Sequence, residues 1–281
     1  MIVDTHLHII DQNALRYPWL AGAGPLNRDA LYEDYAVEAR RLGIGATLHM
    51  EVDVAEADID KETDYVTELA ARDGSLLVGA IAACRPEDAG FAATLERILD
   101  NRTVKGLRRI LHQSPDDLSQ STLFRDNIKL LSGTGLTFDL CALPHQLPIV
   151  AELADLAPDV QFVLDHCGVP DIKGGGLDPW RANMAEIARR PNIVGKLSGI
   201  IAYADAGTWT VDTIRPYAEH TIQSFGFDRM VWGSDFPVCT LGGSLSTWVG
   251  ATHALLEGAS ADEKAALLSR NAIKLWNLKI S

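Results

Sequence analysis

The sequence lacks any closely spaced pair of cysteines. Its four cysteines, Cys84, Cys141, Cys167 and Cys239, stand far apart, whereas zinc fingers and thioredoxin-like sites need two cysteines within a few residues of each other. Both kinds of site are therefore excluded. We expect the four residues to be reduced thiols packed in or near the core, where free cysteine is common.

Long apolar runs are also missing. No segment reaches the roughly 18 consecutive apolar residues of a membrane span. The apolar stretch at the N-terminus is short and is followed by aspartate and histidine, which is not the pattern of a signal peptide. We therefore expect a cytoplasmic protein that does not act at a membrane.

Basic residues are outnumbered by acidic ones. Lysine and arginine together number 25 against 38 aspartates and glutamates, which gives a formal net charge of −13. Such a surface repels nucleic acid and anionic membranes. The expected partner is therefore a small molecule, and a homo-oligomer of the chain is left open.

Short β-rich runs alternate with amphipathic stretches along the whole chain. The predicted strands cover residues 1–9, 44–52, 75–83, 103–111, 136–142, 159–168, 192–199 and 228–237. The predicted helices cover residues 29–43, 57–74, 86–101, 121–135, 147–158, 179–191, 213–226, 246–258 and 261–276. Most of these strands are apolar on both faces, which is typical of a parallel sheet covered by helices. Eight such units predict an α/β protein with a closed (β/α)8 TIM barrel.

A doubly wound open sheet is the main alternative to the barrel. Its dinucleotide-binding members carry a Gly-x-Gly-x-x-Gly loop after the first strand, but here histidines stand at that point. No linker, repeat or low-complexity segment divides the sequence. We therefore expect residues 1–281 to form a single barrel domain.

Polar residues gather where the predicted strands end. They are His6, His8, His49, Glu51, Arg108, Arg109, His112, Gln113, Asp165, His166, Lys196, Ser198, Ser234 and Asp235. Charged residues at the ends of apolar strands are rare unless they are paired or functional. In a (β/α)8 barrel these ends form the active-site face, so the set predicts a binding site there.

The first and last strands supply a candidate metal site. His6 and His8 are two residues apart in a strand and therefore point to the same side. Asp235 ends the eighth strand, which lies beside the first in a closed barrel. Two imidazoles and a carboxylate could hold one zinc ion; alternatively, the imidazoles position substrate or water by hydrogen bonds.

Asp235 and His166 are the candidate catalytic residues. Asp235 follows the buried run MVWG, and a carboxylate there can take a proton from water as general base. His166 follows FVLD and could hydrogen bond a carbonyl oxygen or shuttle a proton. Asp165 would point the other way in a regular strand, so we expect it to be structural.

Further residues are candidates for contact with the substrate: Trp19, Glu51, Arg108, Arg109, His145 and Lys196. The cations could hold a carboxylate, a lactone carbonyl or sugar hydroxyls. Adjacent Arg108 and Arg109 face opposite sides of a strand, and the sequence does not say which one enters the barrel. Trp19 could form a wall over the substrate or anchor its loop. His145 could belong to the rim or to a loop, and Glu51 could accept hydroxyls of a polyol.

Taken in order, several segments resemble the amidohydrolase superfamily, in the branch that contains L-fuconolactonase and 2-pyrone-4,6-dicarboxylate lactonase. The segments are DTHLH, YPWL, KGLRRILHQSPDD, GLTFDLCALPHQLP, FVLDHCGVPDIKGG, NIVGKLSG, FGFDRMVWGSDFPVC and RNAIKLWNL. The resemblance implies a hydrolase that opens a small lactone, preferably a sugar-acid lactone, with Asp235 as general base and with His166 polarising the carbonyl or orienting the attack. A pyrone-dicarboxylate lactonase and a metal-dependent decarboxylase of an aromatic acid are the alternatives.

Two departures from the wider superfamily concern the metal. Binuclear members carry a carboxylated lysine on strand four, but the only lysine of that strand here, Lys105, lies near its start. Mononuclear relatives place a histidine at the end of strand five, where this chain has Ala142-Leu143-Pro144, with His145 beyond. We therefore expect either no required cofactor or one zinc ion held by His6, His8 and Asp235.

Overall fold

Eight short, largely apolar segments form one parallel sheet in the computed structural model, which describes residues 1–280. The strands are β1 (Ile2–Leu7), β2 (Ile44–Met50), β3 (Leu77–Ala83), β4 (Val104–Ile110), β5 (Thr137–Cys141), β6 (Gln161–Leu164), β7 (Ile193–Ser198) and β8 (Met230–Gly233). They lie in chain order, each paired in parallel with the next. This order is that of the predicted barrel.

Hydrogen bonds between the ends of β1 and β8 close the sheet on itself. The Asp235 amide donates to the carbonyl of His6 at 2.8 Å, and the His8 amide donates to the carbonyl of Phe236 at 2.7 Å. Asp4 strengthens this seam, because its carboxylate accepts from the Ser234 amide at 2.7 Å and from the Tyr35 hydroxyl at 2.6 Å. The predicted (β/α)8 barrel is confirmed, and His6, His8 and Asp235 are brought to one point of its rim.

The helices form a layer around the barrel. They are α1 (Tyr32–Arg41), α2 (Ile59–Ala70), α3 (Phe91–Leu99), α4 (Thr122–Lys129), α5 (Leu147–Leu156), α6 (Trp180–Ile187), α7 (Val211–Phe225), α8 (Leu245–Leu255), α9 (Ala261–Ala265) and α10 (Asn271–Leu275), with a π-turn at Ala266–Arg270 between the last two. The π-turn interrupts the single helix predicted for residues 261–276. Within residues 1–280, none of the helices combines the length and apolar character needed to cross a lipid bilayer.

Apolar side chains fill the barrel below the rim, so the site lies at one end only. Val3, Leu48, Ile81 and Val231 pack inside it, and Trp276 packs against the same cluster from the C-terminal segment. The Trp276 indole donates to the Thr137 hydroxyl at 3.0 Å. Removal of this apolar surface from water stabilises the fold and leaves the carboxyl ends of the strands as the open face.

The long loop after β1 folds over that open face. Its turns at Pro18–Gly22 and Gly24–Leu26 are held by a bidentate ion pair in which Arg16 contacts both carboxylate oxygens of Asp58 at 2.7 Å. The Trp19 indole donates to the carbonyl of Val52 at 2.9 Å. The loop therefore has a defined position over the rim.

Candidate active site

Asp235 lies at the bottom of the site and is almost completely buried. Its backbone adopts a left-handed conformation with φ of 57°, which turns the side chain away from the path of β8 and into the barrel mouth. Gly199 faces it closely enough that a Cβ at that position would collide with the carboxylate. Oδ2 of Asp235 has no hydrogen-bond partner in the described part of the chain, so one lone-pair-bearing oxygen is available to a ligand.

His6, in β1, and His8, one residue beyond the end of β1, both face Asp235. Nε2 of His8 lies 3.3 Å and Nε2 of His6 lies 3.6 Å from Oδ1 of Asp235. The imidazole centroids of His6 and His8 are 4.9 Å apart. The side-chain period of a strand therefore places these two imidazoles beside the carboxylate, as their spacing in the sequence indicates.

A backbone carbonyl decides which nitrogen of the His8 imidazole carries the proton. Nδ1 of His8 lies 3.0 Å from the carbonyl oxygen of Met50. A carbonyl oxygen can only accept, so this Nδ1 must donate in the neutral ring, and the lone pair of Nε2 faces the lone pairs of Asp235. Nδ1 of His166 has two partners on one residue, the Ser198 hydroxyl at 2.9 Å and the Ser198 carbonyl oxygen at 3.2 Å.

His166 and Asp165 occupy the site together, which corrects the expectation that Asp165 points away. Strand β6 ends at Leu164, and His166 and Cys167 then adopt left-handed conformations with φ of 53° each. Alternation from Val163, which packs inside the barrel, places Asp165 inside as well, with its Oδ1 3.5 Å from Nδ1 of His6. The left-handed turn then brings His166 to the same side, with its Nδ1 3.8 Å from Oδ2 of Asp235.

Of the two adjacent arginines, Arg108 enters the barrel. Its Nε donates to Oε1 of Glu51 at 2.7 Å, and its Nη2 donates to the Glu51 carbonyl oxygen at 2.7 Å. Nη1 lies 3.4 Å from Nε2 of His6. Arg109 instead faces outward and pairs with Glu87 at 2.7 Å, so it does not line the site.

Lys196 lies beneath the site in a fully buried ion-pair cluster. Its ammonium is 2.6 Å from Asp139 and 2.8 Å from Asp165. Burial alone would raise the pKa of Asp165, but Lys196 and His6 hold that pKa well below its usual value. Asp165 is therefore an anion that faces the imidazole of His6.

The electrostatics leave neutral imidazoles around a carboxyl group that titrates near neutrality. Burial raises the pKa of Asp235 to about 6, although His166 and Arg108 oppose this shift. Burial, assisted by Arg108, lowers the pKa of His8 to about 3, and burial lowers the pKa values of His6 and His166. Asp235 is thus the group in this set that can exchange a proton close to neutral pH.

A cavity of about 220 Å³ opens above Asp235. Polar side chains and one thiol line it together with apolar side chains and the Trp19 ring. The lining residues are His8, Ile10, Trp19, Leu26, Val52, Asp53, Arg108, Ile110, His112, Gln113, Cys141, His166, Tyr203, Asp235, Pro237 and Val238. The size suits one small ring rather than an extended polymer.

The sequence-predicted substrate contacts separate into two groups. Trp19 and Arg108 line the cavity, together with His8, His166 and Asp235. The others lie elsewhere: Glu51 is behind Arg108, Arg109 faces Glu87, His145 is exposed and pairs with Asp116 at 3.2 Å, and Lys196 is beneath the site. These last four side chains are therefore left out of the substrate contacts proposed below.

Two cavity residues, Asp53 and Tyr203, lie outside the strands predicted from the sequence. Tyr203 lies in a short 3-10 turn after β7, with its ring 5.9 Å from that of His166. Asp53 has a left-handed backbone with φ of 48°, in the loop after β2. Both lie in loops that follow predicted strands, so only their position in a rim loop could have indicated them.

The donor set around Asp235 fits one divalent metal ion. Nε2 of His6, Nε2 of His8 and a carboxylate oxygen of Asp235 lie within 4.8 Å of one another, and zinc–ligand bonds of about 2.0–2.2 Å in tetrahedral geometry need such close neighbours. Among the described residues, the carboxyl groups of Glu51, Asp139, Asp165 and Asp235 have two permanent cations beside them, Arg108 and Lys196. Two negative charges therefore remain when all four carboxyl groups are ionised, which matches the charge of one divalent cation.

The comparisons with known proteins agree on one family. A family model described as amidohydrolase matches residues 3–278. An L-fucono-1,5-lactonase from Burkholderia multivorans is 30% identical over 292 residues, which cover 98% of this chain and 96% of the relative. An uncharacterized protein, y4mH, from Sinorhizobium fredii is 29% identical, over 99% of this chain and 98% of that protein.

A solved structure supports the same relationship. It is an amidohydrolase from Burkholderia multivorans that was crystallised with bound zinc. The two chains superpose with a TM-score of 0.88 at 26% identity, over 99% of this chain and 100% of the other. The match therefore extends over the whole barrel.

Proposed function

The chain belongs to the amidohydrolase family, and we propose that it is a lactonase: a hydrolase that opens a small, uncharged lactone, such as a sugar-acid lactone, by attack of water on the ring carbonyl. The observation that carries this proposal is Asp235, whose unpartnered Oδ2 is buried at the bottom of a cavity sized for one ring. The resemblance to a relative named as an L-fucono-1,5-lactonase supports the same reaction.

Asp235 is the proposed general base. With the pKa of Asp235 raised to about 6, the carboxylate is ionised at neutral pH yet basic enough to accept a proton. A water molecule beside Oδ2 would lose its proton to Asp235 as it attacks the carbonyl carbon. General-base catalysis of this kind contributes roughly a hundred-fold to ten-thousand-fold in rate.

His166 is proposed to polarise the carbonyl or to orient the attacking water, the two roles that the family resemblance implies. Its ring lines the cavity, and its Nδ1 lies 2.9 Å from the Ser198 hydroxyl and 3.2 Å from the Ser198 carbonyl oxygen. When Nδ1 donates to the carbonyl, Nε2 accepts a hydrogen bond from water. When Nδ1 accepts from the hydroxyl, Nε2 donates to the lactone carbonyl.

The negative charge that develops on the lactone oxygen needs hydrogen-bond donors. Arg108 and Tyr203 line the cavity, and the guanidinium and the phenol both donate. Burial raises the pKa of Tyr203 well above its usual value, which keeps the phenol protonated. We assign these two groups to stabilisation of the oxyanion.

The preference for an uncharged substrate follows from the charges around the cavity. Within residues 1–280, Arg108 is the one lysine or arginine that lines the cavity, while Asp53 and Asp235 both line it. Glu51 already engages Nε of Arg108 at 2.7 Å. The charge of Arg108 is thus already balanced by Glu51, and no uncompensated positive charge remains among the described lining residues to hold a substrate carboxylate, which disfavours pyrone dicarboxylates.

If a metal ion is bound, His6, His8 and Asp235 would hold it. Such an ion would act as a Lewis acid on the carbonyl or lower the pKa of water. His8 is oriented for this by the Met50 carbonyl, and His6 faces the carboxylate of Asp165, as outer partners of metal-binding histidines commonly are.

A lactone panel tests the proposal. The purified protein is assayed with a pH indicator against fucono-, galactono- and rhamnonolactone and a carboxylate-bearing lactone, each with and without a chelator. The proposal predicts acid release from at least one neutral aldonolactone at a higher kcat/KM than from the charged lactone. Acid release only from the charged lactone would contradict the substrate class. Carbon dioxide release from aromatic acids, without lactone opening, would instead support the decarboxylase alternative.

A further inference from the structure

His112 and Cys141 form a pair in the cavity wall that the proposed chemistry leaves unused. Sγ of Cys141 lies 3.0 Å from Nδ1 of His112. The Cys141 carbonyl oxygen also accepts from the His112 amide at 2.9 Å. Both side chains line the cavity. Cys141 therefore contacts His112 twice, once at the backbone amide and once at the imidazole ring.

The pair lies across the barrel from the proposed reaction centre. Cys141 ends β5, His112 follows β4 by two residues, and these strands are hydrogen bonded to each other. Asp235 and His8 lie where β8 meets β1, and in an eight-stranded barrel in chain order that seam is opposite β4 and β5. A ring whose carbonyl lies at Asp235 therefore extends its far side toward His112.

The thiol indicates which imidazole nitrogen carries the hydrogen. Burial raises the pKa of Cys141, so the group is a neutral thiol with one hydrogen to donate. Nδ1 of His112 is the partner within hydrogen-bond distance of Sγ among the described residues. When Nδ1 accepts, Nε2 must carry the hydrogen of the neutral ring. Burial, with Arg108 nearby, lowers the pKa of His112 to about 4, so the ring is neutral at physiological pH.

Gln113 completes the polar surface. Its amide nitrogen lies 3.2 Å from Nε2 of His112, and Gln113 also lines the cavity. The two ends of an amide can be exchanged by rotation, so with a hydrogen on Nε2 of His112 the amide turns its oxygen toward the ring. The imidazole N–H and the amide then offer both donors and an acceptor to a hydroxyl group.

We infer that His112 is a specificity-determining residue that, with Gln113, binds ring hydroxyl groups on the side of the lactone remote from the attacked carbonyl, and that Cys141 is its positioning residue. This inference rests on the proposed function. In this assignment, residues at the ends of β4 and β5 recognise the substrate hydroxyl groups. Residues where β8 meets β1 carry out the hydrolysis. No covalent step at the thiol is involved.

The substrate test compares two six-membered lactones: the best aldono-1,5-lactone of the panel and δ-valerolactone, which has no hydroxyl groups. Replacement His112→Leu is expected to lower the ratio of kcat/KM for the first over the second by about fivefold to tenfold, the size expected for one neutral hydrogen bond. The loss should appear mainly in KM. Replacement His112→Asn, which keeps an N–H donor, is expected to restore part of the ratio. Equal losses on both lactones would overturn the assignment.

The positioning role has its own test. Cys141→Ala is expected to lower the same ratio, and Cys141→Ser to restore it, because serine keeps a donor toward Nδ1. Cys84→Ala is the matched control: Cys84 is also a buried thiol, but it contacts the Arg108 carbonyl and does not line the cavity. A fall in the ratio of the same size in the Cys84 and Cys141 variants would contradict the assignment.

An NMR measurement is independent of lactonase activity. Two-bond nitrogen–proton correlations in protein labelled with ¹⁵N-histidine, assigned with His112→Asn, report the tautomer of His112. The inference expects Nε2–H in the native chain and a mixed population in Cys141→Ala. Nδ1–H in the native chain would overturn it. If the wild type opens no lactone, the proposed function fails and the hydroxyl assignment fails with it, while the tautomer still decides the role of Cys141.

Discussion

Nε2 of His8 and Oδ1 of Asp235 lie 3.3 Å apart with lone pairs on both atoms. The assignment follows from the Met50 carbonyl, which takes the only hydrogen of the neutral His8 ring at Nδ1. Two facing lone pairs in a buried site repel each other unless a proton or a cation lies between them. This repulsion favours the protonated form of Asp235, in line with its raised pKa, and it also favours a metal ion between the two atoms.

Metal binding follows directly from this arrangement. Apo-protein prepared with a chelator is expected to bind one Zn²⁺ or Co²⁺ per chain in a calorimetric titration. Replacement His8→Asn should weaken that affinity by at least about tenfold, because one of three ligands is lost. His145→Asn is the control, since His145 is exposed and pairs with Asp116. Equal affinities in the two variants would contradict the assigned ligands.

The stability of the metal-free protein should depend on pH through Asp235. The pKa of Asp235 is raised in the folded state to about 6, against about 3.9 in an unfolded chain. The folded state then binds more protons between these values, so Asp235 makes stability fall as the pH rises from about 4 to about 6. Asp235→Asn removes this loss of stability. At pH 7 the variant should therefore have a free energy of unfolding about 2–3 kcal/mol higher than that of wild type, and it should unfold at a higher urea concentration.

The comparison at pH 4 is the control for this prediction. Aspartic acid is there largely protonated in the folded state, so the two proteins should unfold at similar urea concentrations. The measurement is urea denaturation followed by circular dichroism, with chelator present. A variant less stable than wild type at pH 7, or a difference that grows as the pH falls, would contradict the raised pKa of Asp235.

Substitution of Arg108 should lower lactonase activity much more than substitution of the adjacent Arg109. Arg108→Gln leaves Glu51 without the cation that contacts it at 2.7 Å and removes a proposed oxyanion donor, so kcat/KM should fall by at least about a hundred-fold. Arg109→Gln loses a partly exposed pair with Glu87, and kcat/KM should stay within about twofold of wild type. Steady-state lactone assays measure both. Similar losses in the two variants would contradict the assignment of Arg108 to the cavity.

Lys196 should affect stability more than substrate affinity. Lys196→Met leaves Asp139 and Asp165 as buried, unpaired carboxyl groups, and breaking a buried pair costs about 3–5 kcal/mol. Urea denaturation at pH 7 measures this loss. Lys129→Met, which breaks an exposed pair with Asp126, should leave the free energy of unfolding nearly unchanged. A stable Lys196 variant with a raised KM would instead indicate direct substrate contact.

The barrel could be predicted from the sequence because its strands are short apolar runs between amphipathic helices. The convergence of His6, His8 and Asp235 could be predicted for the same reason: strand period and barrel closure bring them together. The choice between Arg108 and Arg109 could not, because alternation shows that they face opposite sides but not which side is inside.

Other parts of the site depend on backbone conformations that the local sequence pattern does not predict. Asp165 shares the inner face of the barrel with Val163, and His166 joins it because the backbone turns left-handed at His166, an uncommon conformation for a residue with a side chain. Lys196 was expected at the substrate because it is charged on an apolar strand. Its two aspartate partners come from strands far away in sequence, so its burial as an ion pair becomes visible only in three dimensions.

The activity of Asp235→Asn tests the central claim most directly. The carboxamide keeps the size and backbone of Asp235 but cannot accept a proton from water. At pH 7.5, with folding verified by circular dichroism, kcat for the best lactone of the panel should fall by about a hundred-fold to ten-thousand-fold. A folded Asp235→Asn protein that opens the lactone at the wild-type rate would show that another group activates the water.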